Sequence, residues 1–180
     1  MKAPFSLFIF VVLCLFAIPG HAQQGTWQQK LQGELPLLGH RNWIVIADSA
    51  YPLQTAPGIE TIETGASQLE VVSAVLDALD HTSHVKANLF LDAEMARVPE
   101  ADAKGIGKYR DDLAKLLKSR TPIVVPHEDI IAKLDEAGKT FHVLILKTNL
   151  TIPYTSVFLQ LDCAYWNADA EKRLRDAMKK

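Results

Sequence analysis

The chain has 180 residues, 48% of them hydrophobic, and its 19 Lys and Arg nearly balance 21 Asp and Glu for a formal net charge of −2. Acids and bases are interspersed along the chain, which argues against nucleic acid as a partner. No CxxC, HExxH or EF-hand spacing is present, which argues against a dedicated metal site.

The chain opens on the three parts of a secretory signal: Lys2, an apolar run from Phe5 to Ile18, then Pro19, Gly20 and Ala22 ahead of the expected cut. The run is shorter than the ~20 residues a spanning helix needs, and no later stretch approaches that length. Residues 1–22 are therefore expected to be removed, leaving 23–180 as one domain, secreted or periplasmic, without a stable membrane anchor. Only Cys163 survives that cut, so no intramolecular disulfide is expected. It follows the apolar stretch Val157 to Leu161, where a small buried or half-buried side chain is expected.

Trp43 to Ala47 is a continuous apolar run, the pattern of a strand buried on both faces. Ser67 and Glu70 have the capping-box spacing of a helix whose apolar positions Leu69, Val72, Val75, Leu76 and Leu79 recur at helical intervals. Ala87 to Leu91 reads as a strand. The segment Asp92 to Gly107, with Pro99, Gly105 and Gly107, reads as a loop or broken helix over one end of the sheet. Tyr109, Leu113, Leu116 and Leu117 mark another helix, and Pro122 to Val125 a short strand. A further helix starts near Pro126, carries Glu128 and Asp129 in its first turn, where negative charge suits the dipole, and is closed by Gly138. Phe141 to Leu146 and Ser156 to Leu161 supply the last strands, and Ala168 to Lys180 a charged helix with a weak apolar stripe at Leu174 and Met178, solvated or docking. This alternation predicts a three-layer α/β domain, a mostly parallel sheet flanked by helices.

Candidate chemistry gathers around the first strand. His40 precedes it and Asp48 follows it, at the carboxyl end where α/β sheets bind ligands. A strand of that length at ~3.3 Å per residue holds the two about 20 Å apart. From the residues alone Asp48 also reads as a turn former, His40 as a histidine meeting the last carbonyls of a helix, and His127 as a surface residue opening a helix. His81 and His84 read as structural, and His142 as core or surface according to its strand face.

The stretch LGHRNWIVIADSAYP resembles the signature of the ribose pyranase and fucose mutarotase (RbsD/FucU) family, a Gly-His turn, an apolar strand, an Asp-containing turn and a nearby Pro. GIETIETGASQLEVVSAVLDAL is similar to the family's second strand and next helix, and GKYRDDLAKLL to its Tyr-Arg helix. VVPHEDIIAKLDEA is similar to its histidine ahead of a helix, and LKTNLTIPYTSVFLQL to its closing stretch. These matches are collinear from Leu35 to Leu161. The resemblance implies a cofactor-free, metal-free monosaccharide mutarotase or pyranase, an isomerase interconverting anomers or ring forms. It assigns His40 as general acid/base and Asp48, His127, Tyr154 and Ser156 as sugar-binding residues, Ser156 standing in the place of the family's Asn. It also implies a homo-oligomer with sites completed across subunit interfaces, which would remove the 20 Å difficulty. The acid that the family places two residues after the histidine is Asn42 here, leaving the imidazole without that partner. Serine at 156 lacks the amide's fixed donor and acceptor pair. The alternative is an exported monosaccharide-binding or structural protein of the same fold without catalysis.

Overall fold

The computed structural model describes residues 26–117 and 119–179; the secretory signal read at 1–22 lies outside them. The chain runs through α1 (Trp27–Glu34), β1 (Trp43–Ala47), β2 (Ile59–Glu63), α2 (Gln68–Asp80), β3 (Val85–Asp92), α3 (Ile106–Leu116), β4 (Ile123–Val125), α4 (His127–Ala137), β5 (Val143–Lys147), β6 (Val157–Cys163) and α5 (Ala168–Ala177). The strands form one sheet in the order β2-β5-β1-β6-β3-β4. β2, β5 and β1 are mutually parallel and β3 is parallel to β4, whereas β6 runs antiparallel to both its neighbours, β1 and β3. The sheet is thus mostly parallel, with the reversed strand inside it.

β1 is fully buried because helices cover both of its faces. Ile44 and Ile46 pack with Leu144, Leu146 and Leu159 under α1, α2 and α3, where Val72, Val75, Ile106 and Leu113 complete one core. The alternate residues Trp43 and Val45 meet Val143, Ile145 and Phe158 beneath Ile130 and Leu134 of α4 on the other side. The period-two alternation of the strands therefore divides one apolar run between two cores. The helix α5 buries none of its residues and is solvated.

Several local expectations change. Ser67 is the N-cap of α2 by position, but its side chain makes no capping bond. The capping box is formed instead at α1, where Gln29 N–H donates to Thr26 Oγ1 (3.3 Å) and Thr26 N–H to Gln29 Oε1 (3.0 Å). The start of α2 is held by buried Gln68, whose amide donates to the carbonyls of Ile46 (3.2 Å) and Thr155 (2.6 Å) and accepts from the Thr148 hydroxyl (2.7 Å). Gly138 does follow α4, yet it is right-handed, with φ of −61°. A Cβ there would stand 2.7 Å from the Ile59 side chain, which would have to shift to admit it. The segment after β3 is a broken helix, a 3-10 turn at Ala93–Ala96 and then Gly105 at φ 94°, its N–H bonded to the Glu100 carboxylate (2.6 Å). Cys163 is half-buried. Among the described residues no helix is long and apolar enough to cross a membrane.

Candidate functional site

Because β6 runs against its neighbours, the loop from β5 into it lies at the carboxyl ends of β1 and β5, beside the first turn of α4. A cavity of about 510 Å³ opens there, lined by Asp48, Tyr51, His127, Ile131, Ile152 and Tyr154 among others. That volume suits a small ligand.

Each polar wall is held from behind. Asp48 directly follows β1, and its Oδ1 accepts the Ala50 N–H (2.9 Å), so it is a turn former and a cavity-lining acid at once. Tyr51 is largely buried, and burial, reinforced by the nearby carboxylates of Asp135, Asp92 and Asp48, pushes its phenol up to about 12, so it remains a hydrogen-bond donor. Tyr154 has φ 57°, a left-handed backbone that a bulky side chain rarely adopts. Its neighbours impose it: the Thr155 carbonyl accepts from both Gln68 and the Tyr109 hydroxyl (2.8 Å), and Ser49 N–H ties Leu150 back to the end of β1 (2.8 Å).

His127 opens α4, with its backbone N–H donating to the Glu94 carboxylate (3.0 Å). Its Nδ1 lies 3.0 Å from Oδ1 of Asp92, the last residue of β3, whose side chain is fully buried. Asp92 Oδ2 is buried without a hydrogen-bond partner. Burial raises the Asp92 carboxyl above its ordinary range, with His127 opposing and Glu94 and Asp48 adding to the rise. The rings of His127 and Tyr154 meet edge-on, 5.5 Å apart.

The structure thus brings Asp48, His127 and Tyr154 together. It does not bring His40 to them. His40 stands at the amino end of β1, in a turn where Asn42 Oδ1 accepts the Gly39 N–H (2.7 Å) and Arg41 adopts φ 76°. Rather than meeting helix carbonyls, His40 places Nδ1 2.9 Å from Asp162 Oδ1 on β6. Asp162 is oriented by the Cys163 N–H (2.8 Å), and despite some desolvation that bond and His40 hold its carboxyl below its usual range. The imidazole partner absent at Asn42 is supplied by Asp162. Ser156 is buried just ahead of β6 and does not line the cavity.

Asp92, Tyr51 and Asp162 were not singled out from the sequence. Asp92 had a usable signal, since it ends the apolar strand LFLD at the ligand-binding end of the sheet, as Asp48 ends WIVIAD. The other histidines do structural work: His81 Nδ1 lies 2.7 Å from the Asp77 carbonyl, and His84 Nε2 3.1 Å from that of Leu38. Among the described residues one group, Glu34, Glu60 and His142, has atoms close enough to hold a cation, and the Lys30 ammonium already lies 2.9 and 3.0 Å from its two carboxylates.

No protein-family model and no curated protein matches the sequence. Solved structures do match in architecture. Bacillus subtilis RbsD complexed with D-ribose superposes with a TM-score of 0.54 at 17% identity, over 78% of this chain and 96% of that one. FucU from Bifidobacterium longum superposes with a TM-score of 0.51 at 16% identity, over 74% of this chain and 94% of that one. The chain shares its fold with these two proteins.

Proposed function

We propose that the chain binds a monosaccharide in the cavity at the carboxyl end of β1 and interconverts its anomers or ring forms by proton transfer, without a cofactor. The observation that carries this reading is the convergence of Asp48, His127 and Tyr154 on one cavity, within a fold shared with an RbsD solved with D-ribose. A carboxylate suits sugar hydroxyl donors, the face of an aromatic ring suits the C–H face of a sugar, and an imidazole suits proton transfer near neutral pH. Opening the ring requires a base at the anomeric hydroxyl and an acid at the ring oxygen. In this proposal the second group is His40 of another copy, docked head to tail over the cavity. Export of the mature domain from Gln23 belongs to the same proposal, and intact-mass analysis of the secreted form tests it.

One observation favours the non-catalytic reading: within a single chain His40 lies outside the cavity, its side chain 58% exposed. Saturation transfer between anomeric resonances of pentoses and 6-deoxyhexoses separates the two. Faster exchange with protein present supports the isomerase, and binding without exchange supports the binding protein. Asp48→Asn is expected to raise the sugar Kd on the order of 10-fold or more, since it removes a charged acceptor. An unchanged Kd would displace Asp48 from the site.

A further inference from the structure

We propose that His127 is itself a proton-transfer group, acting as the base at the anomeric hydroxyl, and that buried Asp92 is the residue that positions it. This rests on the isomerase reading and adds to it two roles, one for each member of the pair.

The alternative, that the pair merely caps α4, does not fit the hydrogen bonding. The first turn of α4 is already capped, because Glu94 takes the His127 backbone N–H, and Glu128 and Asp129 lie in the same turn. A carboxylate buried for structural reasons is ordinarily satisfied by several donors. Asp92 instead has the imidazole as its one side-chain hydrogen-bond partner among the described residues, with Oδ2 left bare in the interior. An anion held under those conditions is costly, and what it does here is grip one ring nitrogen.

That grip sets the chemistry. With Nδ1–H donated to Asp92, the neutral imidazole presents the unprotonated Nε2, which has no hydrogen-bond partner among the described residues, and the ring lines the cavity. Asp92 from β3 holds one ring nitrogen, Tyr154 from the β5–β6 loop meets the ring edge-on, Glu94 takes the backbone N–H, and Asp48 and Glu128 line the same cavity.

In the step proposed, Nε2 takes the proton of the anomeric hydroxyl and that oxygen becomes the aldehyde carbonyl. The bond from the anomeric carbon to the ring oxygen breaks, and the ring oxygen keeps the electron pair and receives a proton from His40 of the second copy. Rotation and the reverse transfers close the other anomer, so protons and electrons balance without an oxidant or reductant.

The test combines ring-nitrogen NMR of sugar-free mature protein with kinetics of Asp92→Asn and Asp92→Glu. In wild type, His127 should carry its neutral-state proton on Nδ1. In Asp92→Asn, kcat should fall on the order of 10²-fold with KM changed much less, and the acid limb of the pH profile should move to lower pH, because the stabilising anion is gone. Asp92→Glu should recover part of kcat, with thermal melts checking that both variants fold. Wild-type exchange combined with an Nε2–H tautomer, or with an Asp92→Asn variant of unchanged kcat and pH profile, overturns the dyad alone. Absence of exchange in wild type overturns the isomerase reading beneath it.

Discussion

Co-expressed one to one, His40→Ala and His127→Ala chains are expected to regain about a quarter of wild-type sugar exchange, while each variant alone is slower on the order of 10²-fold or more. The expectation follows from the placement of the two histidines at opposite ends of β1, too far apart for one chain to bring both to one sugar. A head-to-tail joint would take His40 from one copy and His127 from the next. In random mixing half the copies keep each residue, so about a quarter of the joints are intact. His40 is prepared for such a role, since it is exposed, held by Asp162 and located beside Trp43 and Phe141 on a broad cleft of about 960 Å³. Failure of the mixture to recover activity, or light scattering that shows a monomer at micromolar concentration, would remove the shared site. Full activity of His40→Ala would place the chemistry within one chain.

Gly58→Ala is expected to produce a large loss of stability for a single methyl group. Gly58 precedes β2 where it crosses the end of α4, accepting the Val143 N–H (2.8 Å) and donating to the Gly138 carbonyl (3.2 Å). A Cβ there would stand 2.4 Å from the backbone oxygens of both Gly138 and Phe141. Backbone cannot swing aside as a side-chain tip can, so β2 would have to lift from β5. A cost of about 3 kcal/mol is expected, in the upper range for overpacking. At this chain length that lowers Tm by roughly 10 °C. Denaturant melts of wild type and variant measure it, and a change below ~1 kcal/mol would mean the crossing is looser than drawn.

The fold was legible where burial dictates pattern. Trp43 to Ala47 has the pattern of a strand covered on both sides, and the helical intervals of α2 and α3 and the end signals of α4 marked three of the layers' helices. Local capping was harder, because Ser67 and Thr26 both offer the right spacing and only tertiary context decides which side chain bonds. At α2 buried Gln68 anchors the first turn, and at α1 the exposed Thr26 and Gln29 are free to pair. The reversal of β6 left no mark on an apolar run that reads alike in either direction. The site was legible to the same depth. Asp48, His127 and Tyr154 lie in recognisable stretches, whereas the residues that orient the histidines are distant in sequence. Asp92 is 35 residues from His127, and Asp162 is 122 from His40. Such pairings arise from sheet order, which no local pattern encodes.

The reversed strand carries one more consequence. β6 begins beside Tyr154 and ends at Asp162 and Cys163, so it alone connects the loop that shapes the cavity to the carboxylate that holds His40. It spans about 20 Å at ~3.4 Å per residue step, and it is laddered to β3 along its whole length and to β1 over Val157–Gln160. In the head-to-tail assembly proposed, this strand would be the rod between successive sugars. A rod bonded along both edges neither stretches nor turns when one end is filled, so each site should fill without news of the next. Sugar titrations of the assembled protein are accordingly expected to follow a simple hyperbola, and a sigmoid would mean that the rod bends.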